Sequence, residues 1–104
     1  MGATFVRFVG GGALSPATCQ MLADITGRKI ETVNNTQEVG AIGTALVVAA
    51  GVKGTDVLEL ARRLVKANRV YVPDPANRDV YERNYRVFKG LYKANARSFR
   101  AINA

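Results

Sequence analysis

The sequence has no histidine and a single cysteine, Cys19. No Ser-His-Asp or Cys-His triad can be assembled from it, and neither can a zinc cluster of His and Cys ligands or an intrachain disulfide. One free thiol fits a reducing compartment. The longest apolar run, Ala45 to Ala50, is far short of the ~20 residues a membrane helix needs. No positively charged leader precedes an apolar stretch, so no secretory signal is expected. Acid is scarce in the second half. Up to Val52 three basic residues balance three acidic ones, whereas from Lys53 onward twelve Lys and Arg stand against five Asp and Glu. The whole formal charge of +7 therefore lies after Val52.

With 104 residues, of which 48% are hydrophobic and 22% charged, the chain has the composition of one globular domain. The charge asymmetry divides it into a neutral, glycine-rich nucleus over 1–52 and a basic helical tail over 53–104. Thr4 to Val9 is a β-branched and aromatic run stopped by Gly10-Gly11-Gly12, and reads as a strand followed by a loop. Ser15-Pro16 supplies an N-cap and a first-turn proline for a helix that ends at Gly27. Lys29 to Val33 reads as a second strand, parallel to the first because one helix separates them. Asn35 and Glu38 have the spacing of a capping box for a helix over Gln37–Gly51 that is apolar almost all round. Gly40 and Gly43 on that helix predict a close approach by a neighbour, since each costs ~1 kcal/mol against alanine. Thr55 is the expected cap of a third helix running to about Lys66, and Val70 to Val72 is extended ahead of Pro73. Asp74-Pro75 opens the last helix, where Tyr81, Tyr85, Phe88, Tyr92, Phe99 and Ile102 form one stripe and Arg86, Lys89, Lys93, Arg97 and Arg100 another. The expected architecture is α/β, β-α-β-α-α-α, with two parallel strands. Such a pair is too small to be a sheet in its own right, which points to a piece of a larger one.

A strand, a glycine loop and a helix start together make an arrangement that binds phosphates or nucleotides. Glycine admits a ligand to the backbone, and the helix start offers free N–H groups. The loop is not a P-loop, because no Lys-Ser or Lys-Thr follows it, and it lacks the third glycine of a dinucleotide fingerprint. A tight strand-to-helix turn is the plainer reading of the same residues.

The order of motifs adds to this. Gly10 to Pro16 (GGGALSP), then Gln20 and Ala23-Asp24, then Lys29 to Val33, then Glu38 to Ala45 (EVGAIGTA) resembles the C-terminal region of the FGGY carbohydrate kinases. Tyr71 to Pro75 (YVPDP) and the tyrosine-rich tail are similar to the end of xylulokinase-type members. The resemblance extends from Phe5 to about Phe99. It implies an actin-like ATPase fold, built from ribonuclease-H-like domains, in a cytoplasmic enzyme. Such an enzyme moves the γ-phosphate of ATP, used with Mg2+, to a sugar hydroxyl, here a pentulose such as xylulose. By the same resemblance Gly11, Gly12, Ala13 and Ser15 would form part of the adenosine site, with Ser15 also available as a plain helix cap. Leu14 stands where many members have a basic residue, and Thr18 where an aromatic is common. The catalytic aspartate, the sugar pocket, the first phosphate loop and the Mg2+ ligands precede this region in the family. ATP, ADP and, through that preceding domain, a sugar are the implied partners, and the chain by itself is expected to be inactive. A sheet cut from its parent also predicts self-association. The rival reading is a basic module for nucleic acid or an acidic partner, carried by the last helix and its tyrosines. A fragment that folds and associates but binds nothing is the third.

Overall fold

The computed structural model describes residues 5–104; Thr4, which the sequence places in the first strand, lies outside them. Strand β1 (Phe5–Arg7) runs parallel to β2 (Lys29–Val33), with Phe5 opposite Lys29, Val6 opposite Ile30 and Arg7 opposite Glu31. Between them lies helix α1 (Pro16–Thr26). The local chemistry of α1 is what the sequence calls for. The Ser15 hydroxyl accepts a hydrogen bond from the Thr18 N–H at 3.3 Å, and Pro16 opens the first turn. Gly27 closes the helix in the left-handed region at φ 65°, its N–H donating to the Ala23 carbonyl at 2.9 Å.

The sheet has a third strand. Segment β3 (Ala67–Tyr71) pairs antiparallel with the far edge of β2, Ile30 facing Tyr71 and Val33 facing Ala67, with a register irregularity between Glu31 and Val33. The sheet order is β1-β2-β3, so the expectation of two strands is corrected to three, with β2 in the centre. The sequence anticipates extended chain only over Val70–Val72, because Ala67-Asn68-Arg69 has little strand propensity. Its conformation comes from ladder pairing with β2 rather than from its own side chains.

Three other expectations are corrected. Asn35 does not cap a helix. It takes a left-handed conformation at φ 54° and opens a single 3-10 turn over Thr36–Glu38, so helix α2 begins later, at Val39, and runs to Lys53. Helix α3 (Val57–Leu64) is capped by Asp56, whose carboxylate accepts from the Leu58 N–H at 3.0 Å, and not by Thr55. Finally, α2 is apolar but not enclosed. Only Leu46 on it is buried, Val47, Val48 and Val52 are open to solvent, and no described atom comes within 4 Å of where a Cβ on Gly40 or Gly43 would lie.

Helix α4 (Arg78–Ile102) follows a 3-10 turn over Pro75–Asn77 that Asp74 caps through the Ala76 N–H at 3.0 Å. The core proper is small. Cys19 and Ala23 of α1 meet Ile30 of β2, flanked by Phe8, Leu22 and Tyr71. The rest of the molecule spreads away from it. The radius of gyration is 19.1 Å, against about 13 Å for a compact domain of this length. The accessible surface is 8047 Å², against about 5,700 Å² expected for a folded monomer of this mass.

Candidate functional site

The loops that leave the two parallel strands lie side by side at the carboxyl ends of β1 and β2, the place where open α/β sheets bind ligands. The first loop is the glycine turn, a single 3-10 turn over Gly11–Leu14 that follows Gly10. Gly10 sits at φ 98°, which a side chain would strain. The second loop is Asn34–Glu38. Thr36, itself buried, joins them: the Gly10 N–H donates to the Thr36 carbonyl at 2.9 Å and to its hydroxyl at 3.0 Å, and that hydroxyl donates back to the Gly10 carbonyl at 3.3 Å. From the other side the Cys19 thiol donates to the Ala13 carbonyl at 3.6 Å. Burial pushes that thiol above its ordinary pKa, so it stays protonated and structural.

The four residues singled out in the sequence have different surroundings. Gly11 and Gly12 are on the surface, Ala13 is buried, and Ser15 is half-buried with its hydroxyl used as the helix cap. Space around the glycines is unequal. A Cβ on Gly12 would lie 3.1 Å from the Phe8 ring, whereas one on Gly11 would meet only the Gln37 side chain at 4.0 Å. Gly12 therefore has a packing reason to be glycine, and Gly11 has none within the described residues.

Ala13 and Leu14 also border a cleft of about 400 Å³ between the start of α1, the end of β2 and strand β3. Its remaining lining includes Pro16, Thr32, the Asn34–Glu38 loop, Asn68, Arg69 and Tyr71. Gly11, Gly12 and Ser15 stand outside this lining. Sequence reasoning missed the β3 residues, because nothing local connects position 69 with position 32.

Asp24 is the one buried carboxylate among the described residues, and it is not part of the cleft. It accepts hydrogen bonds from the Asp74 N–H at 2.8 Å, the Gln20 amide at 2.9 Å and the Asn77 amide at 2.9 Å. The bond from Asp74 does most to hold its carboxyl below the usual range. Gln20 and Asn77 add to the effect and burial opposes it. Asp24 thus locks the entry of α4 onto α1. Among the described residues no three His, Cys, Asp or Glu side chains are grouped to hold a metal. No described helix is long and apolar enough to cross a membrane.

A β-α-β unit with a glycine turn, joined through a further helix pair to an antiparallel edge strand and a long terminal helix, defines a mixed α/β architecture. Residues 4–52 match the family described as "FGGY family of carbohydrate kinases, C-terminal domain". Over those residues the sequence is that of the FGGY C-terminal domain. It is 31% identical over 89 residues to the xylulose kinase of Staphylococcus epidermidis, an alignment covering 85% of this chain and 18% of that protein. To the autoinducer-2 kinase of Yersinia pestis it is 35% identical over 81 residues, 77% of this chain and 15% of that protein. The crystal structure of a ligand-bound xylulose kinase from Lactobacillus acidophilus superposes with a TM-score of 0.79 at 24% identity, over 95% of this chain and 20% of that one. The fold is therefore that of the FGGY kinases, and the chain spans less than a fifth of the length of these relatives.

Proposed function

We propose that the chain forms the adenosine-binding part of an ATP-dependent carbohydrate kinase that phosphorylates a sugar hydroxyl, with a pentulose such as xylulose as the acceptor. The observation that carries this reading is the glycine turn. Thr36 and Cys19 hold it in place at the carboxyl end of β1, Gly11 is exposed with no packing reason to lack a side chain, and a capped helix N-terminus follows directly. Named relatives that act on xylulose support the acceptor class. Phosphoryl transfer needs a base, a metal and an acceptor pocket. In this reading the rest of the parent kinase provides them, working on cytoplasmic ATP with Mg2+, while this chain positions the nucleoside end.

The test uses the 104-residue chain labelled with 15N. Titration with ADP should move the amides of Gly11, Gly12, Ala13 and Ser15, with weak affinity, and the chain should show no ATP-dependent phosphorylation of xylulose. Amides that stay still up to millimolar ADP would refute the nucleotide reading. Turnover by the chain itself would refute the division of labour.

A further inference from the structure

Helix α4 carries a pattern that the nucleotide reading does not use. Tyr85, Phe88, Tyr92, Asn95, Phe99 and Ile102 follow one another in alternating steps of three and four. That is the a/d repeat of a coiled coil, and the 25 residues of α4 have room for about three and a half heptads of it. No acidic or basic residue stands in the seam. Arg83, Arg86, Lys93 and Arg97 lie on the far side of the helix, given about 3.6 residues per turn. Lys89 flanks the seam, its ammonium 5.0 Å from the Tyr85 ring centroid, so its stem lies along the apolar edge.

All six seam residues are exposed. Tyr92 and Phe99, two turns apart, already meet with ring centroids 5.9 Å apart, which makes the seam a continuous ridge. At ~150–250 Å² per aromatic side chain, Tyr85, Phe88, Tyr92 and Phe99 leave roughly 500 Å² open in each copy. Val87, Leu91 and Ile102 bring this to roughly 700 Å², near the ~800 Å² that each partner contributes to a stable interface. The two halves of the helix also differ in shape. Beside the first half, Ile25 of α1 joins Tyr81, Tyr85, Phe88 and Leu91 around an apolar groove of about 730 Å³. The second half offers the ridge of Tyr92, Phe99 and Ile102. We propose that α4 is an interface between two copies of this chain, paired antiparallel about a two-fold axis near Lys93. Phe99 and Ile102 of each copy then enter the groove beside Ile25 of the other. A parallel pair would crowd both β-α-β bodies at one end and leave the two grooves unfilled. In the antiparallel seam Asn95 falls opposite Tyr92 of the second copy, next to the axis, where one amide in an apolar seam fixes the register. The basic stripes face outward and do not meet.

The experiment measures association of the full chain by sedimentation equilibrium and its geometry by spin labels. The chain should sediment as a dimer. Phe99→Ser should weaken association at least tenfold, and Asn95→Leu should tighten it at least threefold, because the amide fixes register at a cost in affinity. Val52→Ser, on the open face of α2, should leave association unchanged. All three positions are exposed, and an unaltered circular dichroism spectrum shows that each variant is folded. A label on Ala104→Cys reports the orientation, since Cys19 is buried and does not compete for it. At ~1.5 Å per residue, antiparallel helices place the two labels about 30 Å apart. A monomer at millimolar concentration, a dimer that Phe99→Ser leaves intact, or labels only about 10 Å apart, as side-by-side parallel helices would place them, would overturn the antiparallel α4 interface.

Discussion

Every side chain buried among the described residues falls between Ala13 and Leu46, whereas α3 and α4 bury none. The two regions achieve their structure differently. In the first, strands, a capped helix and two clasped loops close over Cys19, Ala23 and Ile30, and the sequence specifies the fold through tertiary contact. In the second, helix periodicity and charge suffice for the helix, but its apolar stripe has little to cover it. Tyr85, Phe88 and Tyr92 are 55%, 67% and 76% exposed. With the open face of α2 they amount to the kind of apolar surface that marks a contact with another protein surface. The first region is a nucleus that carries the candidate site. The second is shaped to be half of something.

The largest effect should come from trading one region against the other. Ile30→Ala should cost about 2–5 kcal/mol, enough to unfold much of a chain with so small a core. Phe88→Ser should change the unfolding free energy measured in urea by less than about 0.5 kcal/mol. Association should respond in the opposite sense. Sedimentation equilibrium should find the parent chain as a dimer or larger, and Phe88→Ser should shift it towards monomer. A parent chain that remains monomeric across a tenfold concentration range would mean that these faces do not pair with each other.

A smaller effect is expected where the regions are joined. Folding lowers the pKa of Asp24, so in acid the folded state binds fewer protons than the unfolded chain. The stabilisation is complete above the ordinary carboxylate range and is lost as pH falls through it to the lowered value. Asp24→Asn should therefore lower stability at neutral pH and flatten the decline between neutral pH and about pH 3. An unchanged acid limb in that variant would mean that the clasp on Asp74 and Asn77 contributes nothing to folding.

The smallest effects separate the two exposed glycines of the turn. Gly12→Val must displace Phe8 and should cost about 1–3 kcal/mol in the chain without ligand. Gly11→Ala meets ordinary contact distances and should be neutral or stabilise by up to about 1 kcal/mol. If thermal unfolding shows equal losses for both, the distinction between a packing glycine and a ligand glycine fails.

The features legible in the sequence are those set by local chemistry. Ser15, Pro16 and Gly27 delimit α1 to the residue, and Lys29 to Val33 is a strand as read. What escaped depends on distant partners. Ala67–Tyr71 is a strand because β2 has a free edge, and α2 starts late because Thr36 turns inward to clasp Gly10. The cleft divides in the same way. Its Ala13 wall follows from the glycine motif, while Thr32 and Arg69 come together only once β3 has docked.

The central position of β2 has a consequence in time rather than space. It is the one strand of the described sheet with a partner on each side, and its side chains Ile30 and Val33 are each only 2% exposed. Its amides should be the last in the molecule to exchange with solvent deuterium, together with those in the middle of α1. Protection should fall through β3 and disappear along the outer turns of α4. The loops that form the candidate site leave from the ends of this slow-exchanging layer. A ligand would therefore find them already in place, while the long terminal helix still opens and closes around its own hydrogen bonds.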